Sequence, residues 1–242
     1  MPDRILVVGP AWVGDMVMAQ SLFAALKRRH PQAAVDVLAP RWTLPLLQFM
    51  PEVRDGILQP LGHGELGLAA RYRLGRELRA RGYDLAIVLP GSLKAAVVPF
   101  FAGARQRLGY GGALRRLLLS EARAEPRLPQ VESFVALADL AGEAPRPRLT
   151  VPGDIAAAAL AATGLARPAT PLLAIAPGAE YGPAKRWPAR HFAALAKAKL
   201  DQGWDVWLFG SPADREVAAE VPCSQNLAGR TSLDQAVALL GL

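Results

Sequence analysis

The sequence predicts an α/β protein built from two doubly wound units, the second of them incomplete. Three observations carry that expectation. Short apolar runs of strand length alternate with amphipathic stretches of helical period. A Pro- and Arg-rich break, Glu143-Ala-Pro-Arg-Pro-Arg-Leu, divides the alternation into two series. The 242 residues are long for one ordinary domain and comfortable for two.

The first series opens with a strand over Arg4–Gly9. A helix over Gly14–Arg29 follows, with Met16, Ala19, Phe23 and Leu26 on one face. A second strand over Ala34–Ala39 is closed by Pro40, and a short helix spans Thr43–Phe49. Gly56–Gln59 reads as a weak third strand. Leu66–Arg81 reads as a helix carrying Arg71, Arg73, Arg76, Arg79 and Arg81 on its wetter faces. Asp84–Leu89 is the clearest buried strand, Leu93–Phe101 is helical with a bend or stop near Pro99, and Val131–Leu140 is an amphipathic helix. These boundaries predict a first domain over residues 1–150, a linker region over 151–170 and a partial second domain over 171–242. The Ala-rich run Ile155–Ala166 is a short helix beside the linker. Strands are expected at Leu172–Ala176, Asp205–Phe209 and Gln225–Leu227. Helices are expected at Pro188–Gln202, Pro212–Glu220 and from Ser232 onward. Alternation of this kind builds a parallel sheet covered on both faces, with ligands gathering at the carboxyl ends of the strands.

The formal net charge of +7 favours an acidic partner, whether nucleic acid, anionic lipid or a phosphorylated substrate. The single Cys223 excludes an internal disulfide framework and fits a reducing compartment. No apolar run reaches the ~18 residues of a membrane span, and the N-terminal run is too short for a signal peptide. A soluble, cytoplasmic protein is therefore expected. His30, His63 and His191 are scattered without metal-ligand spacing. The G-x-G-x-x-G fingerprint, the G-x-x-x-x-G-K-[ST] loop and the G-x-S-x-G elbow are all absent. The five tryptophans form no stacking platform for single-stranded nucleic acid.

Three segments can carry chemistry. Gly9-Pro-Ala-Trp-Val-Gly-Asp-Met joins the first strand to the first helix. There Gly14 permits close backbone approach, and Asp15 is either a first-turn carboxylate or a general base at the crevice. Pro177-Gly-Ala-Glu-Tyr-Gly-Pro-Ala-Lys-Arg-Trp-Pro joins the first strand of the second series to its helix. Lys185 and Arg186 stand just ahead of that helix, with Pro188 at its first position. They are either solvated loop charges or a diphosphate site. Lys94, in Gly91-Ser-Leu-Lys after the strongest strand, either faces the crevice or stands in solvent. Arg105, Arg107, Arg115 and Arg116 follow it. Gly62 to Gly67 reads as a turn.

Taken together, these segments resemble the ADP-heptose:lipopolysaccharide heptosyltransferases of glycosyltransferase family 9, in particular the heptosyltransferase II branch. The matching stretches include Ile5-Leu-Val-Val-Gly-Pro-Ala-Trp-Val-Gly-Asp-Met, Pro60-Leu-Gly-His-Gly and Tyr83-Asp-Leu-Ala-Ile-Val-Leu-Pro. They continue with Lys94-Ala-Ala-Val-Val-Pro-Phe-Phe-Ala-Gly, the Pro177–Pro188 segment, and Asn226-Leu-Ala-Gly-Arg-Thr-Ser-Leu-Asp-Gln-Ala. The resemblance implies a GT-B fold: two Rossmann-like domains facing a cleft, the first for the acceptor and the second for the nucleotide sugar. It implies inverting, metal-independent transfer with no cofactor, ADP-heptose as donor and a phosphorylated lipid A inner core as acceptor. Peripheral contact with the cytoplasmic leaflet of the inner membrane is implied as well, and no nucleic acid. The family's catalytic aspartate falls on Asp15. Its donor-binding positions fall on Gly14, Glu180, Tyr181 and Lys185, and a basic acceptor-side position falls on Lys94.

The family's Asn-Asp-Ser-Gly tract, its following Met-His and its terminal helix are not in this sequence. The expectation is a C-terminally truncated chain with weak or absent transfer. Three other readings remain: a non-catalytic fragment that binds nucleotide or acceptor, another GT-B enzyme using a UDP-sugar, and a nucleic-acid binder suggested by charge alone.

Overall fold

A computed structural model describes residues 2–61, 65–180 and 183–242. The chain forms two compact units, Met1–Thr150 and Val151–Leu242.

The first unit runs β1 (Arg4–Val8), α1 (Val13–Arg29), β2 (Ala34–Pro40), β3 (Val53–Gln59), α2 (Leu68–Leu78), β4 (Leu85–Val88), α3 (Val97–Phe101), β5 (Gln106–Tyr110), β6 (Glu121–Arg123) and α4 (Gln130–Ala136). Short 3-10 turns fill Leu44–Phe49, Arg79–Arg81, Leu93–Ala96 and Ala113–Leu117. The six strands pair in parallel in the order β3-β2-β1-β4-β5-β6. The direction of winding therefore reverses between β1 and β4, where an open α/β sheet parts its loops and admits a ligand. Both faces of β1 are buried, Ile5 and Val7 on one and Leu6 and Val8 on the other. Helices α1 and α4 pack together, and α2 packs on α3. Leu6, Val8, Tyr83, Val88, Val98 and Leu119 share one core on one side of the sheet.

The third strand is longer than its apolar pattern suggests, because Arg54 and Asp55 interrupt the run and are consumed in ion pairs. The carboxylate of Asp36, in β2, is fully buried. It accepts from Arg54 Nε (2.8 Å), Arg81 Nη1 (2.9 Å) and the Tyr83 hydroxyl (2.7 Å), and Arg81 also bonds Asp55. Burial by itself would raise the Asp36 pKa. The donors Arg54, Tyr83 and Arg81 outweigh it and hold the carboxyl below the usual carboxylate range. The helix predicted over Leu66–Arg81 is shorter, starting after Gly67 in a left-handed conformation (φ 47°) and tightening to a 3-10 turn at Arg79. Near Pro99 the helix does not break. The change of winding lies earlier, between Ala96 and Val97, and leaves Pro99 in the first turn of α3, where its missing N–H costs nothing.

The second unit runs α5 (Gly153–Thr163), β7 (Leu172–Ile175), α6 (Ala189–Asp201), β8 (Asp205–Leu208), α7 (Arg215–Ala219), β9 (Gln225–Asn226) and α8 (Leu233–Leu240). The Ala-rich composition of α5 favours helix, and Gly164 ends it at φ 70°. Strands β7, β8 and β9 pair in parallel in that order. Ile175, Val206, Leu208, Ala196, Ala218 and Val221 form the core on one face, and α5 packs on α8. Cys223 packs against this core, and burial pushes its thiol pKa up, which makes it a packing residue and not a reactive one. Among the described residues, no helix is long and apolar enough to cross a membrane.

Candidate active site

In the first unit the loops after β1, β2, β3 and β4 surround a pocket of about 240 Å³. Val8, Gly9 and Ala11 line it from the first loop, Pro40 and Trp42 from the second, and Gln59 and Leu61 from the third. Pro90, Ser92, Lys94 and Ala95 line it from the loop after β4, and Arg71 from α2. The pocket thus lies at the carboxyl ends of the strands that flank the reversal of winding. The indole N–H of Trp42 donates to Ala11 O at 2.6 Å and ties the first two loops together.

Lys94 lines this pocket, and its ammonium donates to Glu65 O at 3.2 Å. Asp15 lies in the first turn of α1, four residues beyond Ala11, and is half-buried. It does not line the pocket. Its carboxylate has no hydrogen-bond or ion-pair partner among the described residues. Other carboxylates of this unit are engaged: Asp36 and Asp55 by arginines, Asp84 by the N–H groups of Asp3 and Arg4, and Asp139 by Arg123 and Arg29. A carboxylate at a helix start usually serves as a cap, but α1 has no side-chain cap, so Asp15 is not spent on the backbone.

A Cβ added to Gly14 would meet open space, so its backbone is open to approach. Within the fold the close contact is at Gly9, where a Cβ would stand 2.5 Å from Met16 Cε and 3.3 Å from Leu38 O. One expectation needs correction. Arg71 is not on a wet face but 3% exposed. Side chains on a helix lean toward its N-terminus, and Arg71 folds back to donate from Nε to Leu66 O at 2.9 Å. Its helical register sets it apart from Arg73 and Arg76: Arg71 shares a face with Gly75 and Leu78, the buried residues of α2, while the other two are exposed. Arg115, grouped with the basic run, is 4% exposed. It donates from Nη1 to Tyr110 O, and its Nε and Nη2 lack partners among the described residues; Arg116 is exposed.

In the second unit, Glu180 and Lys185 lie exposed in the one loop that joins β7 to α6. Tyr181 lies outside the described residues, as do Gly62 and His63. Lys185 closes the short turn Pro183–Lys185, and α6 begins at Ala189, one residue later than expected, with Pro188 as its N-cap. Pro188 offers no side-chain acceptor, so the first amides of α6 are not capped by it. Arg186 reaches back to Ala179 O at 3.5 Å, and Trp187 stacks on His191 with centroids 5.2 Å apart.

What sequence reasoning missed is how this loop is braced. A Cβ on Gly178 would lie 2.0 Å from Asp214 Oδ1. Asp214 is fixed by accepting from the Ser211 amide (2.8 Å) and hydroxyl (2.7 Å). Arg215 then donates to Gly229 O at 2.8 Å. The loops after β7, β8 and β9 are thereby knitted at the carboxyl end of the sheet. Gly178→Ala is expected to cost about 1–3 kcal/mol by this clash. Hydrogen exchange that quickens in β7 and β8, with β1–β4 unchanged, would check it.

The order of loops and motifs is matched by known proteins. The sequence profile of glycosyltransferase family 9 (heptosyltransferase) matches residues 71–242. Lipopolysaccharide heptosyltransferase 2 of Escherichia coli is 44% identical over 259 residues, covering 98% of this chain and 74% of that relative. The chain belongs to glycosyltransferase family 9. Lipooligosaccharide heptosyltransferase 2 of Haemophilus influenzae is 45% identical over 260 residues, again across 98% of this chain and 75% of the relative. The solved structure of E. coli ADP-heptose lps heptosyltransferase II superposes with a TM-score of 0.85 at 41% identity, over 98% of this chain and 76% of that one. This family 9 heptosyltransferase is therefore an α/β glycosyltransferase of GT-B type. It spans about three-quarters of the length of the relatives it matches.

Proposed function

We propose that this heptosyltransferase moves L-glycero-D-manno-heptose from ADP-heptose to the heptosyl-Kdo₂-lipid A inner core, with inversion at the anomeric carbon. The observation that carries the mechanism is the unengaged carboxylate of Asp15 in the first turn of α1, four residues beyond Ala11, which lines the pocket at the reversal of winding. Inversion requires a base for the acceptor hydroxyl and stabilisation of the departing diphosphate. Asp15 takes the proton as the hydroxyl oxygen attacks the anomeric carbon, and the bond to the ADP oxygen breaks. Lys185, with the uncapped amides of α6, receives the charge that develops on that oxygen. Glu180 and Tyr181, in the same loop, and Gly14, where the backbone is open, contact the donor. No metal is needed in this scheme, because the cation and amides supply the positive charge.

The first unit, residues 1–150, takes the acceptor, with Lys94 on one of its anionic groups. The second takes the nucleotide sugar through residues 171–242, with 151–170 as the connecting region. The enzyme works in the cytoplasm and touches the inner membrane peripherally. Leu114 and Leu117, each 71% exposed beside the basic Arg116, support that contact.

The test is a transfer assay with ADP-heptose and heptosyl-Kdo₂-lipid A, with the anomeric configuration of the product read by NMR. Retention of configuration, or transfer from UDP-sugars in preference to ADP-heptose, would overturn the reading. Lys185→Ala is expected to lower kcat/KM for donor about 10²-fold. ADP affinity falls with it, because the ammonium meets the diphosphate in both ground and transition states.

A further inference from the structure

The pocket in the first unit holds a buried arginine with no counter-charge. Arg71 is 3% exposed and lines the pocket, yet among the described residues no carboxylate pairs with it. Its acceptors among the described residues are two neutral carbonyl oxygens, Leu66 O at 2.9 Å and Glu65 O at 3.4 Å. Lys94, arriving from the loop after β4, donates to that same Glu65 O at 3.2 Å. Two cations from separate segments, both lining the 240 Å³ pocket, thus converge on one uncharged oxygen. Arg54 and Arg81 answer Asp36, and Arg123 answers Asp139. Arg115 is also buried against a carbonyl alone, but of the two only Arg71 lines this pocket. A buried guanidinium carries a desolvation cost that carbonyls offset only in part, and burial lowers its pKa accordingly. A planar guanidinium also presents more donors than two carbonyls use, in a fork that matches a carboxylate or phosphate.

We propose that Arg71 and Lys94 form a two-cation clamp in this pocket for an anionic group of the acceptor, a carboxylate or phosphate, and that Arg71 is the residue that fixes its orientation. The inference rests on the acceptor assignment of the first unit made above. Arg71 holds the segment at Leu66 with Nε, and the Nη face turned to Glu65 O meets the anion. Lys94 supplies the second charge as a mobile point donor.

The test measures binding of deacylated heptosyl-Kdo₂-lipid A by calorimetry to the full 242-residue chain, with ADP titrated separately. Arg71→Gln is expected to weaken acceptor binding about 10- to 100-fold, the worth of charge-assisted hydrogen bonds, and to leave ADP affinity unchanged. Arg71→Lys keeps the charge but loses the fork, and is expected to fall between the two. If Arg71→Gln does not fold, as judged by circular dichroism, folded Arg71→Lys carries the test with an expected loss of about threefold or more. Phosphatase-treated acceptor separates the two sources. A mutational loss that disappears after treatment assigns the anion as phosphate, and one that persists assigns it as carboxylate. Acceptor affinity equal to the parent's in a folded Arg71 variant overturns the clamp. A parent chain that binds ADP-heptose but no lipid A acceptor overturns the acceptor reading beneath it instead.

Discussion

An Asp15→Asn chain is expected to lose heptosyl transfer about 10²- to 10⁴-fold while binding ADP as the parent does. The substitution is isosteric, and nothing in the fold leans on the carboxylate, which has no partner among the described residues. Thermal stability should therefore stay close to that of the parent. Loss of turnover without loss of stability or donor affinity is the signature of a group that acts only in the transition state. Glu125, an exposed carboxylate near the end of β6, makes the comparison sharp: Glu125→Gln should retain turnover within about threefold, as surface changes away from a reacting centre do. Single-turnover rates with saturating ADP-heptose and calorimetry with ADP separate the two quantities. Normal turnover in Asp15→Asn would remove the base assignment and leave the family membership standing.

Much of this architecture was legible because its strands are uninterrupted apolar runs. Ile5-Leu-Val-Val and Leu85-Ala-Ile-Val announce strands buried on both faces, and both are found within a residue or two of their expected ends. The ends of β3 were not legible for an equally physical reason. Arg54 and Asp55 look like loop residues until Asp36 and Arg81, 18 and 26 positions away, are brought beside them. The site shows the same division. Lys94 follows a strong strand, so local pattern and family motif point it to the pocket it lines, whereas Asp15 follows in the first turn of α1 and does not line that pocket. Arg71 shares a helical face with Gly75 and Leu78, so its burial was legible in the register, but its carbonyl partners at Glu65 and Leu66 are shown only by the fold. The tight packing at Gly9 was not legible, because the atoms it meets, Met16 Cε and Leu38 O, are brought there only by the fold. The bracing of Gly178 by Asp214 is hidden for the same reason, since 36 residues separate them.

Asp36→Ala is expected to destabilise the first unit by about 2–4 kcal/mol, the largest effect on stability of any change considered. The carboxylate is fully buried in β2 and is the shared acceptor for Arg54, Arg81 and Tyr83. Its loss leaves the hydroxyl of Tyr83, a residue 1% exposed, without that acceptor. The arginine side chains are 47% and 37% exposed and can turn to water, which keeps the cost below that of a fully enclosed ion pair. Tyr83→Phe removes one donor from the same carboxylate, and is expected to cost about 1 kcal/mol. In the Asp36→Ala background it should cost less, because the bond it would break is already gone. The pH dependence has a definite sign. The folded pKa of Asp36 lies below its unfolded value, so its contribution is complete above the ordinary carboxylate pKa, about 4, and is lost as pH falls through the lower folded value. Hydrogen exchange of β2 and β3 amides at stepped pH reads this directly. The parent should lose protection steeply below about pH 4, and Asp36→Ala, already weakened at neutral pH, should lose less. Equal acid sensitivity in the two chains would mean that carboxylates other than Asp36 hold the third strand to the second.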